Sequence, residues 1–313
     1  MTQQHDFSKG SVARNILYLA APMTAAQLIN VLYSVVDRMY LGRLPGHLAL
    51  TGVGLTLPVV SIIMGFANLC GTGGAPLCSI CRGRGDDEEA ERIMGNSFTL
   101  LLLFGAAVTV VFLAFQRPIL YLFGASDATF GYANTYLTIY TAGTFFALMA
   151  TGMNSFLIAQ GFSGLGMATV MLGAVLNIIL DPIFIFGLHL DVAGAALATV
   201  LSQMASCAFV LCSLRRKRMP VRLRWGRMEL HIVRRVLAFG LSPFLIIATD
   251  SILLIVLNTV LQRYGGPELG DTLVTCATIV QSYLLLITMP MGGLTLGSQP
   301  VVSFNYGAAN LER

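Results

Sequence analysis

Long apolar runs alternate with short polar breaks along almost the whole chain. The runs fall at roughly 14–37, 48–70, 95–115, 132–158, 165–187, 192–214, 236–260 and 273–300. Each is close to or above the ~20 residues that cross a hydrocarbon core about 30 Å thick. The pattern therefore predicts about eight transmembrane helices, peppered with the glycines and small residues that let helices pack closely in lipid. The fifth run contains NIILDPIFIFG, Asn177 to Gly187, where an asparagine, an aspartate and a proline interrupt an otherwise greasy helix.

The polar positions inside these runs are not scattered. On the first span Gln27, Asn30, Ser34 and Asp37 step by three or four residues, which places them on one helical face. Thr169, Gly173, Asn177 and Asp181 share a face of the fifth span, and Thr199, Ser202, Gln203 and Ser206 share one on the sixth. Thr144, Thr151, Asn154 and Ser155 form a looser stripe on the fourth. Stripes turned to lipid would leave polar groups unsatisfied, so they are expected to converge inward. Packing by interhelical hydrogen bonds is the plainer alternative.

Three acids, Asp37, Asp181 and Asp250, lie within the apolar spans. A charged Asp at the bilayer centre costs about 2.5–3.5 kcal/mol even on insertion scales, so such residues mark an ion or substrate path by default. Asp37 lies near a span end beside Arg38, where a simple interfacial charge is the competing reading. A carboxyl in a cavity that opens and closes is suited to taking up and releasing a proton, and the same Asp, Asn and Thr oxygens suit Na⁺ as a hard cation. Pro22 and Pro182 each remove a backbone donor and are expected to kink their helices.

Composition agrees with a membrane protein. The 313 residues are 56% hydrophobic and 11% charged, against about 25% charged in soluble domains, and the mean hydropathy is +0.76. MTQQHDFSKG at the N-terminus lacks a cleavable signal pattern, so the first span is expected to direct insertion. With the N-terminus placed in the cytoplasm, that side holds Lys9, Arg14, Arg82, Arg84, Arg92, Arg313 and the nine basic residues between Arg215 and Arg235. The opposite side holds only Arg38, Arg43, Arg117 and Arg263, so the 19 Lys and Arg divide fifteen to four. This bias sets the orientation in a cell (inner or plasma) membrane, and reads RRKRMPVRLRWGRMELHIVRR as a cytoplasmic loop beside anionic lipid rather than a nucleic-acid site. Cys78 and Cys81 form a CxxC without a second pair or a nearby histidine, which is weak as a metal or redox motif. No nucleophile–histidine–acid set is visible, so neither an enzyme, a cofactor nor an obligate protein partner is expected.

Sliding the sequence by 221 residues lays Arg14 on Arg235, Pro22 on Pro243, Leu32 on Leu253, Val35 on Val256 and Gly71 on Gly292. Span one then lands on span seven and span two on span eight, an internal repeat of the kind common in secondary transporters. The repeat predicts an all-α polytopic membrane protein built from a repeated six-helix bundle. The first bundle is residues 1–214, a basic cytoplasmic linker covers 215–235, and 236–313 supply two helices of a second, incomplete bundle. On this reading the chain is a C-terminally truncated form of a twelve-span protein; a complete eight-span protein is the alternative.

APMTAAQLINVLYSVVDRMYLG, LNIILDPIFIFG followed by VAGAALAT, and GLSPFLIIATDSILLIVLN resemble the first, the fifth-to-sixth and the seventh spans of the multidrug and toxic compound extrusion (MATE) family. The resemblance runs from about residue 11 to 313. It implies two six-helix bundles facing a cleft, and antiport that exports organic cations and amphipathic drugs in exchange for H⁺ or Na⁺. It also implies a cation-coupling and substrate cavity made by Asp37 and Asp181, with Asn177, Thr199, Asn154 and Tyr136, and an acid on the seventh span, Asp250. Bound Na⁺ would sit at Asp37 and Asp181; no resident metal is implied. Two other readings compete. A flippase for lipid-linked saccharides would need cations to grip pyrophosphate, and the first six spans carry none near mid-membrane. A truncated, non-transporting membrane protein is the third.

Overall fold

The computed structural model describes residues 7, 10–41, 47–123, 125–217, 219–310 and 312, and every regular element among them is helical. The helices are α1 (Val12–Leu41), α2 (His47–Gly54), α3 (Leu57–Gly83), α4 (Asp87–Leu122), α5 (Asp127–Ala142), α6 (Thr144–Ala159), α7 (Ser163–Pro182), α8 (Asp191–Leu214) and α9 (Leu230–Gly307), with a π-helical turn at Ile183–Gly187 after α7. Among the described residues six stretches are long and apolar enough to cross a membrane, and the bent pair α5–α6 makes a seventh. Lys9, Arg43, Arg218 and Arg313, which enter the orientation argument, lie outside the described residues.

Several expected boundaries shift, each for a local reason. The second run is longer than 48–70, since α3 continues to Gly83. Its extension, GTGGAPLCSICRG, is rich in small residues that allow close backbone approach: a Cβ on Gly73 would meet Val236 and Gly240, and one on Gly83 would meet Phe304. The third begins at Asp87 rather than 95, because Asp86 caps α4 by accepting from the Glu89 N–H at 2.9 Å. Three acids in the first turn favour the positive end of the helix dipole. The fourth is not one rod, for α5 and α6 meet at Gly143 with a 55° bend.

The last two expected spans, 236–260 and 273–300, are joined by helical backbone rather than by a coil, so α9 is a single element of 78 residues. It cannot be straight. Val236 packs on Gly73 and Phe304 on Gly83, two points about 15 Å apart on α3, whereas the 68 residues between them would span about 102 Å as a straight helix. The first arm runs antiparallel to α3, with Gly240 against Leu69 and Phe244 against Gly65. The second runs antiparallel to α1, with Gly293 against Thr24 and Gly297 against Ala20. Many side chains of the expected eighth span lie outside the described set.

The main core joins α3, α4, α6 and α8, with Ile63, Leu101, Leu148, Phe156 and Val210 fully enclosed. The basic segment expected as a linker is helical from Leu230, and from Arg222 to Glu229 it is a strap without regular structure. It is pinned to the end of the bundle. Val221 donates to Gln160 Oε1 at 3.0 Å, the Arg222 N–H to Glu91 at 3.3 Å and the Glu229 N–H to Asn96 Oδ1 at 2.7 Å. Arg224 pairs with Glu91 at 3.2 Å and Arg235 with Glu89 at 2.6 Å, while Met219, Val221 and Leu223 are buried beneath.

The glycine contacts generate a stability test. Gly240→Ala places a methyl on the Leu69 backbone and is expected to cost about 1–3 kcal/mol through overpacking. Gly131→Ala, where a Cβ meets open space, should be neutral or slightly stabilising. Thermal unfolding of the detergent-solubilised protein, followed by size-exclusion chromatography, checks the contrast.

Candidate functional site

Asn177 and Asp181 lie one turn apart on α7, four residues from each other, so their side chains stack on the same face. Both are buried, Asp181 completely. The Asn177 amide Nδ2 donates to Asp181 Oδ1 at 3.3 Å and to Thr199 Oγ1 of α8 at 3.3 Å. Thr199 in turn donates to the Ala195 carbonyl at 3.0 Å. Tyr136 of α5 stands beside Thr199, with Asp37, Tyr33 and Tyr140 around it. The Asp37 carboxyl of α1 lies within hydrogen-bonding reach of Asp181.

The five side chains Asp37, Tyr136, Asn177, Asp181 and Thr199 thus form one connected polar cluster from α1, α5, α7 and α8. Pro182 ends α7 directly after Asp181, and the backbone passes into the π turn, where the Leu188 N–H bonds the Ile183 carbonyl at 2.9 Å. A proline that lacks its N–H followed by a widened turn shapes the chain beside the acid. Pro22 differs, since α1 continues as helix on both sides of it.

A cavity of about 510 Å³ adjoins the cluster. All four polar stripes open into it: Gln27, Asn30 and Ser34; Thr151, Asn154 and Ser155; Thr169, Gly173 and Asn177; Thr199, Ser202, Gln203 and Ser206. Among the described residues no Asp, Glu, Lys or Arg lines it. Asn177 and Thr199 face the cavity and also bond within the cluster, so they form the wall between it and the two acids. Asn154 sits farther along that wall and donates to the Gly166 carbonyl at 3.4 Å. Buried amide oxygens of Asn154, Asn177 and Gln203 have no hydrogen-bond partner, which leaves acceptors for a donor-bearing or cationic guest.

Asp250 is not brought to this cluster. It is exposed on the first arm of α9, on a surface hollow with Ser242, Leu245, Ile246 and Thr249. Thr144 also lies off the cavity, bonding the Tyr140 carbonyl within its own bend. Conversely, Tyr33, Asn68 and Thr72 line the cavity and Tyr140 stacks on Tyr136 with centroids 6.0 Å apart, although none was singled out from sequence. Asn68 and Thr72 are an i, i+4 polar pair, a stripe hidden because the second run had been ended at 70. Cys78 and Cys81 are buried in the apolar core.

A sequence profile of the MatE family matches residues 22–183, a stretch that holds α1 from Pro22 through the Asn177–Asp181 turn. The chain belongs to the MatE family. Relatives and solved structures agree with the family. A multidrug export protein MepA from Staphylococcus haemolyticus is 27% identical over 302 residues, covering 96% of this chain and 66% of its own. A MATE structure in a bent conformation superposes with a TM-score of 0.88 at 29% identity, over 97% of this chain and 67% of that one. An outward-facing multidrug resistance MATE transporter of the MOP superfamily superposes with 0.91 at 28% identity, over 100% and 69%. The MatE chain described here spans about two thirds of the length of such relatives.

The Asn177–Thr199 bridge yields a measurable coupling. Asn177→Ala and Thr199→Val should each destabilise the protein by about 1–3 kcal/mol, as expected when a buried polar partner is lost. Their double-mutant cycle should return a coupling of about 0.6–1.7 kcal/mol, the range for hydrogen bonds between membrane helices. Additive effects in thermal or denaturant unfolding would show that the bridge does not form.

Proposed function

We propose that this protein is a secondary active antiporter that exports organic cations and amphipathic drugs in exchange for H⁺ or Na⁺. The observation that carries the reading is the division of labour around Asn177 and Thr199. On one side lies a roomy cavity with neutral polar, methionine and tyrosine surfaces. On the other lies a pair of carboxyls, the enclosed Asp181, one hydrogen bond away, and the half-buried Asp37 beside it. A neutral cavity suits varied amphipathic guests, because binding there rests on apolar area and a few adaptable hydrogen bonds. Two carboxyls side by side change their net charge by one unit when a proton or Na⁺ enters. That change alters what Asn177 and Thr199 bond to, and so what the cavity wall offers the guest.

The names of the similar staphylococcal proteins, multidrug export protein MepA, support the same substrate class. Among the described residues no cationic side chain lines the cavity, which argues against cargo held by pyrophosphate. The protein is placed in the cell membrane with its N-terminus in the cytoplasm, on the strength of the Lys and Arg bias.

The test is efflux of a fluorescent organic cation from drug-sensitive cells expressing the protein. Efflux is expected to stop in Asp181→Asn while membrane insertion, measured by quantitative blotting, stays unchanged. Collapsing the proton and sodium gradients separately identifies the coupling ion. Efflux by Asp181→Asn at the parent rate would remove the coupling role from this acid.

A further inference from the structure

The cavity ends toward the basic strap in a closed seam between α3, α6 and the second arm of α9. Its inner layer is apolar. Met23, Ala26 and Ile158 pack together with Leu296 against them, and all four line the cavity floor. Beyond this layer is a void of about 10 Å³ bordered by Ser79, Ser155, Ile158, Ala159, Leu296 and Pro300, room for no more than about one water. Ser155, Ile158 and Leu296 border both spaces, so the void continues the cavity through the seam.

The outer layer is polar and centres on Arg82. Helix α6 ends in a glycine turn with Gly161 at φ +91°, where the Phe162 N–H bonds the Leu157 carbonyl at 3.0 Å and the Gly161 N–H bonds that of Ile158 at 2.9 Å. This arrangement satisfies the terminal carbonyls from within α6 except that of Ala159. The Ala159 oxygen receives its donors from α3 instead: Ser79 Oγ at 3.0 Å and Arg82 Nη1 at 3.4 Å. A cation there also complements the negative end of the helix. The same guanidinium stands over the Phe304 ring of α9, 5.9 Å from its centroid, and its Nε is buried without a hydrogen-bond partner. Arg82 therefore touches α6 on one side and α9 on the other, and its hydrogen bonding is only partly satisfied in this closed arrangement.

We propose that Arg82 is the latch of a gate at the strap end of the cavity, holding the second arm of α9 against the end of α6 while that end is closed. The inference rests on the transport reading, which requires an opening on this side. Opening withdraws Phe304 and Leu296 together, because both ride on the same arm. Arg82 is the one polar bridge in the described seam that spans all three helices. It is a positioning residue: it has no place in the carboxyl cluster or in the cavity lining.

The experiment uses the full chain carrying Ser155→Cys in inside-out membrane vesicles. A membrane-impermeant maleimide is applied, and labelling of the peptide containing position 155 is followed by mass spectrometry, so that the native cysteines do not interfere. Slow labelling is expected with Arg82 in place. Arg82→Gln should raise the rate about tenfold, the scale of an ordinary coupling between two states. Arg82→Lys, which keeps charge but loses the planar fork, should fall between. Phe304→Leu removes the opposite face of the latch and should also raise the rate, which keeps the test open if Arg82→Gln does not fold. Leu137→Ala, a cavity in the distant core, is the control for general loosening. Unchanged labelling in folded Arg82→Gln or Phe304→Leu, or an equal rise in Leu137→Ala, overturns the latch. Labelling needs no drug gradient. Efflux without an effect of Arg82 on labelling thus counts against the latch alone, and a labelling effect in a chain without efflux counts against the transport reading alone.

Discussion

Water is absent from a bilayer core, so a polar side chain on a membrane helix has to find its partner inside the protein. Most of this structure follows from that constraint. Stripes on α1, α6, α7 and α8 could be placed together or be left unsatisfied, and they open into one space. The two acids are more demanding still, since a carboxyl costs more to bury than an amide or hydroxyl. Asp181 is completely enclosed and Asp37 half-buried, and they lie beside each other and near Tyr136, Thr199 and Asn177.

Much of this was legible in sequence, because a helix turns by a fixed angle per residue. Steps of three and four put Gln27, Asn30 and Ser34 on one face, and Asn177 one turn from Asp181, without knowledge of any neighbour. What was hidden depended on neighbours. The bend at Gly143 leaves a Val200 side chain where a Cβ would stand, and nothing near residue 143 announces Val200. The reach of α3 to Gly83 depends on α9 lying close enough to need glycine there. Tyr140 reads as an ordinary aromatic core residue until Gln203, 63 positions away, donates to its hydroxyl at 3.4 Å. Asp250 shows the converse: an acid in an apolar run with the right appearance, yet exposed on α9 and outside the cluster.

The basic strap is a similar case. Its charge was evident from the sequence, and its lodging was not. Glu89 and Glu91, in the opening turns of α4, hold Arg235 and Arg224, while Val221 enters the core and donates to Gln160 at the end of α6. Exposed ion pairs contribute little by themselves. Here they accompany buried apolar side chains and backbone hydrogen bonds, so the segment is seated by packing and oriented by charge. Its two ends belong to α8 and α9, which ties the start of the doubled helix to the end of the bundle that bears the Arg82 seam.

The π turn after Pro182 has a geometric consequence of its own. A π turn is wider than an α turn, and here it is the last turn before the loop to α8. The face of α7 that carries Thr169, Asn177 and Asp181 is polar up to the acid and continues four residues on as Ile185. Ile185 is buried there, while Ile183 and Phe186 on the other sides of the turn are exposed. The polar track therefore ends beneath an apolar plug, Ile185, on a turn that Gly194 of α8 lets approach closely, since a Cβ there would meet the Phe184 backbone.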